Sequence, residues 1–211
     1  VATDVDAEHA LLEQGVRTAD RERVGHLELR YRRDPGPDLV GSNLYFTFIR
    51  DLPGDPAQVL ARMPKKARAE ARKARERHGL ELSEGAWYVD DLYRMFLKNK
   101  HQLGSPALPE RHFQELLAEY GRDVRVHLVR RGREPLAAVM SFLDRDTLIA
   151  YYSGTQDGVD QEYSASNFMY LALQEWAVEH GFRRFDFGRS RRDAGAFKFK
   201  QHQGFEPAPL H

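Results

Sequence analysis

Residues 123–154 read DVRVHLVRRGREPLAAVMSFLDRDTLIAYYSG, and three consecutive strands account for them. Val124, Val126 and Leu128 alternate with polar residues over Asp123 to Arg130, the two-residue period of a half-buried strand. Glu134 to Leu143 is almost continuously apolar, and Pro135 is tolerable at a strand start. Thr147 to Ser153 runs on to Gly154. The linkers Arg131-Gly132-Arg133 and Asp144-Arg145-Asp146 are short enough for hairpins. A polar loop over 154–163 leads to a long helix over 164–180, which Gly181 ends, and Arg184 to Phe187 is a further strand. A strand, a helix and a second strand in that order make a parallel crossover. The sheet is therefore expected to be mixed but mostly antiparallel, flanked by helices, in an α+β layout. The place where it splays before the crossover is a natural ligand cleft.

Upstream, residues 57–78 read as helix restarting at Pro64, which suits a first helical turn. Gly79 stops it, and Leu80 to Ser83 is a short strand. Residues 88–103 form an amphipathic helix with Leu92, Met95, Phe96 and Leu103 along one side, and 109–120 a second helix opened by Pro109. Nearer the start, 5–23 is a polar helix containing Gly15, His26 to Tyr31 alternates like a strand, and Arg32 to Gly41 is a loop. Tyr45 to Ile49 is another strand. The breaking run Asp51-Leu52-Pro53-Gly54-Asp55-Pro56 places a domain boundary between 1–56 and 57–211. At the other end, Phe197 to Phe199 reads as a last short strand.

Composition narrows the function. The 211 residues suit one large domain or two small ones. Lys+Arg and Asp+Glu are equal at 32 each, which excludes a uniformly basic nucleic-acid binder but not a local basic patch; DNA is not expected as a partner. The absence of cysteine removes thiolate nucleophiles and thiolate metal sites, and fits a reducing, cytoplasmic setting. No apolar run approaches the roughly 20 residues that span a bilayer, and no signal peptide is read at the start. The chain opens at Val1, so a processed chain or a piece of a longer one is expected. No HExxH, GxSxG, Walker or dinucleotide-binding pattern occurs, and the histidines show no ligand spacing.

The C-terminal motifs carry a family resemblance. Phe185-Asp186-Phe187-Gly188-Arg189-Ser190 is followed by Gly195-Ala196-Phe197-Lys198-Phe199-Lys200 and Gln203-Gly204-Phe205-Glu206-Pro207. Met63-Pro64-Lys65-Lys66-Ala67-Arg68, Leu103-Gly104-Ser105-Pro106 and Tyr151-Tyr152-Ser153-Gly154 precede them. Together these resemble FemABX-like acyltransferases of the GNAT superfamily over roughly residues 45–211, with closest similarity to the FemAB-related branch linked to PEP-CTERM/exosortase and exopolysaccharide loci. The resemblance implies two fused GNAT-like domains, with 1–56 the remnant of the first and 57–211 the second. It also implies acyl or aminoacyl transfer to an amine on a cell-envelope precursor or polysaccharide. The implied donor is an acyl-CoA or an aminoacyl-tRNA, so tRNA is a possible partner. One departure stands out: the pyrophosphate loop is represented only by Gln161-Glu162-Tyr163-Ser164-Ala165-Ser166, with Ser in place of glycine.

Acyl transfer needs a polarised carbonyl, a proton acceptor for the amine, and cations for a phosphate-bearing partner. Lys198 and Lys200 would share one face of an extended stretch, either neutralising charge or solvated at an edge. If they act on charge, Lys198→Ala and Lys200→Ala abolish transfer and leave the fold intact. Arg189 is a candidate phosphate clamp. Asp186, pointing opposite to Phe185 and Phe187, is a base, an orienter of Arg189, or a structural ion-pair partner. Tyr152 abuts Ser153-Gly154 and could donate to the acyl group or leaving group, or simply pack. Ser164, Ser166 and Asn167 begin the long helix, first as its cap and then as anion ligands. Arg62 to Arg77 holds eight basic residues against two acidic ones. Lys66 and Arg72 within it could hold RNA backbone or a sugar-phosphate, or form a solvated face. A reading from another class makes the chain a non-catalytic anion- or RNA-binding module on a GNAT scaffold.

Overall fold

A computed structural model describes residues 4–31 and 40–210. The chain divides into two units, Val1–Asn43 with Pro209–His211, and Leu44–Ala208.

The first unit contains α1, Val5–Glu22. Asp4 caps it by accepting the Ala7 N–H at 2.8 Å, and Arg23 closes it in the left-handed region. None of its residues is buried. The strand expected at His26 to Tyr31 does not form. Alternation alone does not make a strand: a partner must supply the ladder, and among the described residues none pairs with this stretch. The expected loop over 32–41 lies largely outside the described residues.

The second unit is built on a six-stranded sheet. Its strands are β2 (Ile49–Asp51), β3 (Leu80–Glu84), β4 (Val124–Arg131), β5 (Glu134–Asp144), β6 (Thr147–Thr155) and β7 (Arg184–Asp186). Their order across the sheet is β2-β7-β6-β5-β4-β3. Every pairing is antiparallel except β6 with β7, so the sheet is mixed and mostly antiparallel, as its hairpins and crossover require. Two short strands, β1 (Tyr45–Thr47) and β8 (Ser190–Arg191), pair with each other beside it. The single strand expected over Tyr45 to Ile49 is thus split at Phe48, which is fully buried. The sheet takes its edge strand β2 from before residue 57.

Helices cover both faces. On one, α4 (Val89–Gln102) and α5 (Glu110–Tyr120) bury Leu92, Met95, Phe96 and Phe113 against Val126, Leu128, Ala138 and Met140. Leu103 does not join them. It follows the last turn of α4 and is 66% exposed, because the helix ends before its stripe reaches that position. On the other face, α7 (Ala165–Glu179) makes the crossover and buries Phe168, Met169, Leu173 and Ala177 against Val129, Ala137, Val139 and Leu148. A further layer lies over α7. There, α2 (Ala57–Arg62) and α3 (Lys65–Glu76) present Val59, Met63, Ala67 and Ala71 to Leu171. A helix covered on two sides is apolar nearly all round, as α7 is.

The short turn α6 (Val159–Tyr163) precedes α7 within the expected polar loop. The last expected strand is instead a helix, α8 (Gly195–His202). Phe197 and Lys200 are buried while Lys198 is exposed, a spacing of three that suits a helix and not a strand. The extended stretch that would put Lys198 and Lys200 on one face is absent.

Candidate functional site

The parallel pair β6 and β7 stays in register only over Thr147↔Arg184, Leu148↔Phe185 and Ile149↔Asp186. Beyond that, β6 continues to Thr155 while the chain after Asp186 turns to pair Phe187 N–H with the Phe48 carbonyl and Ser190 with Phe46. The sheet therefore parts between Tyr151-Tyr152-Ser153-Gly154 and Phe187-Gly188-Arg189, the cleft the crossover implies. The register of β6 against β5 also shifts here: Met140 faces Tyr152 and Ser141 faces Ala150, leaving Tyr151 opposite no residue of β5. Such bulges re-aim side chains beside sites. Tyr151 is accordingly 61% exposed, while Tyr152 turns inward toward α4 and α5.

Tyr152 lies among Phe96 and Phe113, at 5.7 and 5.0 Å between ring centroids. Its Oη is 3.1 Å from Nε2 of His112 on α5. Burial, and secondarily Tyr151, raises the Tyr152 phenol above its ordinary value, so it keeps its proton at neutral pH. On the opposite face, Tyr170 of α7 donates its hydroxyl to Ser153 Oγ at 3.1 Å. Its ring meets Phe187 at 4.5 Å and Phe199 at 5.6 Å. One half-buried side chain thus ties both walls of the cleft, and desolvation raises its phenol as well. Gly154 is needed where it stands. A Cβ there would come within 2.6 Å of the Phe96 nitrogen and 2.7 Å of the Met95 carbonyl carbon.

The loop after β7 is held from inside. Asp186 Oδ1 accepts the Gly188 N–H at 2.6 Å, and Gly188 takes a left-handed φ of 67°. Lys200 is buried, and its Nζ donates to the carbonyls of Phe187, Gly188 and Arg189 at 2.6, 3.0 and 3.3 Å. Burial pushes its ammonium down to about 8, partly offset by the Asp186 carboxylate. Its removal would strip three carbonyls of a donor, so Lys200→Ala bears on the bracing of this loop as well as on charge. Arg189 is exposed, with its guanidinium 4.7 Å above the Tyr45 ring. Lys198 points outward from α8.

The start of α7 also differs from its reading. Ser164 does not cap the helix. It takes a left-handed φ of 55° and donates its hydroxyl to Glu70 of α3 at 2.6 Å. The Asp160 carboxylate instead accepts the Ser166 N–H at 2.7 Å and its hydroxyl at 2.8 Å, so an acidic side chain of the protein stands at this helix end. Asn167 Oδ1 accepts from Gln203 Nε2 at 2.6 Å. Gln203 lies in a buried polar network: Arg50 donates to its carbonyl and to Gln174, and Gln174 donates to the Tyr170 carbonyl. Burial, with Arg62 nearby, brings Arg50 down to about 10. Gly204 then packs against Pro64, where a Cβ would sit 2.8 Å from Cδ. The Gln203-Gly204-Phe205 motif is therefore where α8 locks onto α3 and β2.

Lys66 and Arg72 are exposed on α3, away from its buried alanines. Among the described residues Lys65, Lys66, Arg72, Lys73 and Arg77 make no ion pair, whereas Arg75 is held by Glu175. The fold thus gathers Asp186, Arg189 and Lys200 at the turn after β7, whereas Tyr152 faces α4 and α5 from β6 and Asn167 lies on α7 beside Gln203. Lys66 and Arg72 lie on a separate face, and Lys198 on the outer side of α8. Tyr170 and His112 were not singled out from the sequence. Tyr170 carries a weak signal as a phenol inside an otherwise apolar helix. His112 carries none, since its partner lies forty residues away. Among the described residues no group of His, Cys, Asp and Glu could hold a metal, and no helix is long and apolar enough to cross a membrane.

A family model described as Acetyltransferase (GNAT) domain matches residues 61–201. Among solved structures, FemX is similar at a TM-score of 0.70 and 12% identity, over 96% of this chain and 74% of its own. A conserved protein of unknown function from Bacteroides thetaiotaomicron VPI-5482 is similar at 0.64 and 11%, over 95% and 73%. L-PGS from Bacillus licheniformis is similar at 0.53 and 13%, over 79% and 61%. At such identities the likeness is one of fold. No curated protein matches the chain.

Proposed function

The chain belongs to the acetyltransferase (GNAT) domain family, and on that premise we propose that it is a FemABX-like N-acyltransferase. It moves an acyl or aminoacyl group from an activated donor to an amine on a cell-envelope precursor or polysaccharide, working in the cytoplasm. The observation that carries this reading is the parting of β6 from β7, with Tyr152 on one wall and the Asp186-braced loop on the other. The ordered C-terminal motifs and the fold likeness to FemX support it.

In this reading the attacking amine and the acyl carbonyl meet in the cleft. Tyr152 lines the acyl site with a phenol that is protonated at neutral pH. Asp186 orients the Gly188-Arg189 turn and draws on the amine. Arg189, exposed on the loop after β7, meets the phosphates of the donor, and Lys198, exposed on the outer side of α8, would add charge to that reading only from outside the cleft. Lys200 holds the carbonyls of that turn in place and so fixes the course of the loop that carries Arg189. Asn167 and Ser166 shape the helix start beneath it. The donor is an acyl-CoA or an aminoacyl-tRNA, and Lys66 and Arg72 would take the latter's backbone.

A thermal-shift screen tests this with CoA, acetyl-CoA, longer acyl-CoAs and aminoacyl-tRNA. A ligand at about 100 times its Kd adds roughly 2.7 kcal/mol of stability. A shift with an acyl-CoA identifies that donor, and a shift with charged tRNA alone identifies the other. Silence from all, with salt-sensitive tRNA retention, would favour the reading as a binding module, for which the unpaired cations of α3 speak.

A further inference from the structure

His112 has no place in the reading above, yet it makes a polar contact with the candidate phenol. Its Nε2 lies 3.1 Å from Tyr152 Oη, and its ring stands edge-on to both Tyr152 and Phe113. Phe96 and Phe113 close the apolar box around the phenol, so the imidazole is its polar outlet on that side. His112 also lines a depression on α5 together with Glu115, Leu116, Glu119 and Tyr120. The two glutamates are exposed there. The phenol, the imidazole and this solvated depression follow one another, with Glu115 paired to Arg111 at 2.6 Å.

We propose that His112 is the proton acceptor behind Tyr152, and that the two form the path by which the attacking amine loses its proton. This rests on the acyl-transfer reading of the same cleft. As the amine nitrogen bonds to the acyl carbon, its proton passes to Tyr152 Oη, and the phenol's own proton passes to His112 Nε2. The bond from the acyl carbon to the leaving group breaks, and that group departs with the bonding pair. The proton remains on the imidazole and leaves past Glu115 and Glu119. His112 thus acts through Tyr152 as a positioning residue. The relay suits a phenol that stays neutral at rest, because Tyr152 then hands on one proton as it receives another. It also requires Nε2 to be bare and Nδ1 to carry the hydrogen.

N-acetylimidazole tests the pair without a natural donor, because it acetylates phenol oxygens and needs the phenol proton removed. Tyr151 is the built-in control, being adjacent and more exposed. With peptide mass spectrometry as the readout, the relay makes Tyr152 react about 100-fold faster than Tyr151, the low end of what a positioned base contributes. His112→Gln keeps a polar side chain but cannot take the proton, and is expected to remove that excess. Tyr152 reacting no faster than Tyr151, or an unchanged rate in His112→Gln, overturns the relay. Should His112→Gln not fold, the comparison of the two tyrosines in the wild type still decides. Imidazole ¹⁵N shifts of the wild type, expected to show a bare Nε2, decide it again. A hydrogen on Nε2 overturns the direction of transfer. These readouts concern the pair whatever the donor is. Their failure removes the relay and leaves acyl transfer standing, whereas silence in the donor screen removes acyl transfer and leaves the measured pair.

Discussion

His127 lies in the sheet's core with no exposed surface. Among the described residues neither of its ring nitrogens meets a hydrogen-bond partner. Its ring stands edge-on to Trp176, 4.7 Å away, and Trp176 stacks on His180. Glu84 is its partner in register on β3, but Glu84 is engaged by Arg125. Burial above all, then His180 and Arg125, pushes the imidazole down to about 4. The unfolded chain takes up that proton near pH 6.5, the folded one only near 4. The stability is therefore fully present above about pH 6.5 and is lost as pH falls through 4. The loss is about 2 kcal/mol by pH 5 and about 3 kcal/mol by pH 4. Urea unfolding of the wild type and His127→Leu at pH 7 and pH 5 isolates it. The difference between the two proteins is expected to move by that amount, and a constant difference would refute the assignment. The two lysines of α8 separate in the same assay. Lys200→Met leaves three carbonyls without their donor and is expected to cost about 1–3 kcal/mol. Lys198→Ala, on the exposed side, is expected to stay within about 0.5 kcal/mol. Equal effects would mean that the buried ammonium does not brace the loop.

At the scale of elements, two glycines show how closely the site is packed and where it is not. Gly154 brings the end of β6 against the backbone of α4, at the level of Met95 and Phe96. Gly154→Ala forces the two apart and is expected to cost about 1–3 kcal/mol or more. It also shifts Tyr152 relative to His112. Gly195 opens α8, with open space where its Cβ would be. Gly195→Ala is expected to raise stability by about 0.4–1 kcal/mol through the unfolded chain's lost freedom. Thermal melts of both variants check the contrast, and a neutral Gly154→Ala would show that α4 yields there. These elements differ in how plainly the sequence announces them. The hairpins β4-β5-β6 and the crossover helix are legible because their apolar runs are long and their linkers short. Phe197-Lys198-Phe199-Lys200 is not, because a two-residue alternation of four residues fits a strand as well as one helical turn. What decides is that Phe197 and Lys200 must both reach the core. His26 to Tyr31 misleads for the opposite reason: it has the pattern of a strand and no partner. Tyr152 is legible as the end of a strand before a Ser-Gly step. His112 and Tyr170 join it only through packing, which no local pattern records. Ser164, where a glycine is expected, shows the backbone keeping its left-handed turn while Glu70 holds the side chain.

For the whole molecule, equal numbers of acidic and basic residues conceal an uneven distribution. The outer arc of α3 carries Lys65, Lys66, Arg72, Lys73 and Arg77 without ion pairs among the described residues. Its inner arc is the alanine face set on α7. The helix is tied to the start of α7 by the Glu70–Ser164 bond, so this cationic arc runs beside the end of the molecule where the sheet parts. A donor carried on tRNA would be held there by its backbone while its acyl end enters the cleft. A donor carried on CoA would not need the arc. The substitutions Lys66→Glu and Arg72→Glu discriminate these, since both side chains are exposed and unpaired. Each is expected to leave the unfolding free energy within about 0.5 kcal/mol. With tRNA as the probe, each lost phosphate contact lowers the slope of log affinity against log salt by roughly 0.7–0.9. The double variant is thus expected to bind tRNA with a slope shallower by about 1.4–1.8, while any acyl-CoA shift in melting is unchanged. Fluorescence anisotropy of labelled tRNA between 50 and about 200 mM salt, the range over which such contacts weaken most visibly, measures it. An unaltered slope would assign the cations of α3 to solvent and confine the donor to the cleft itself.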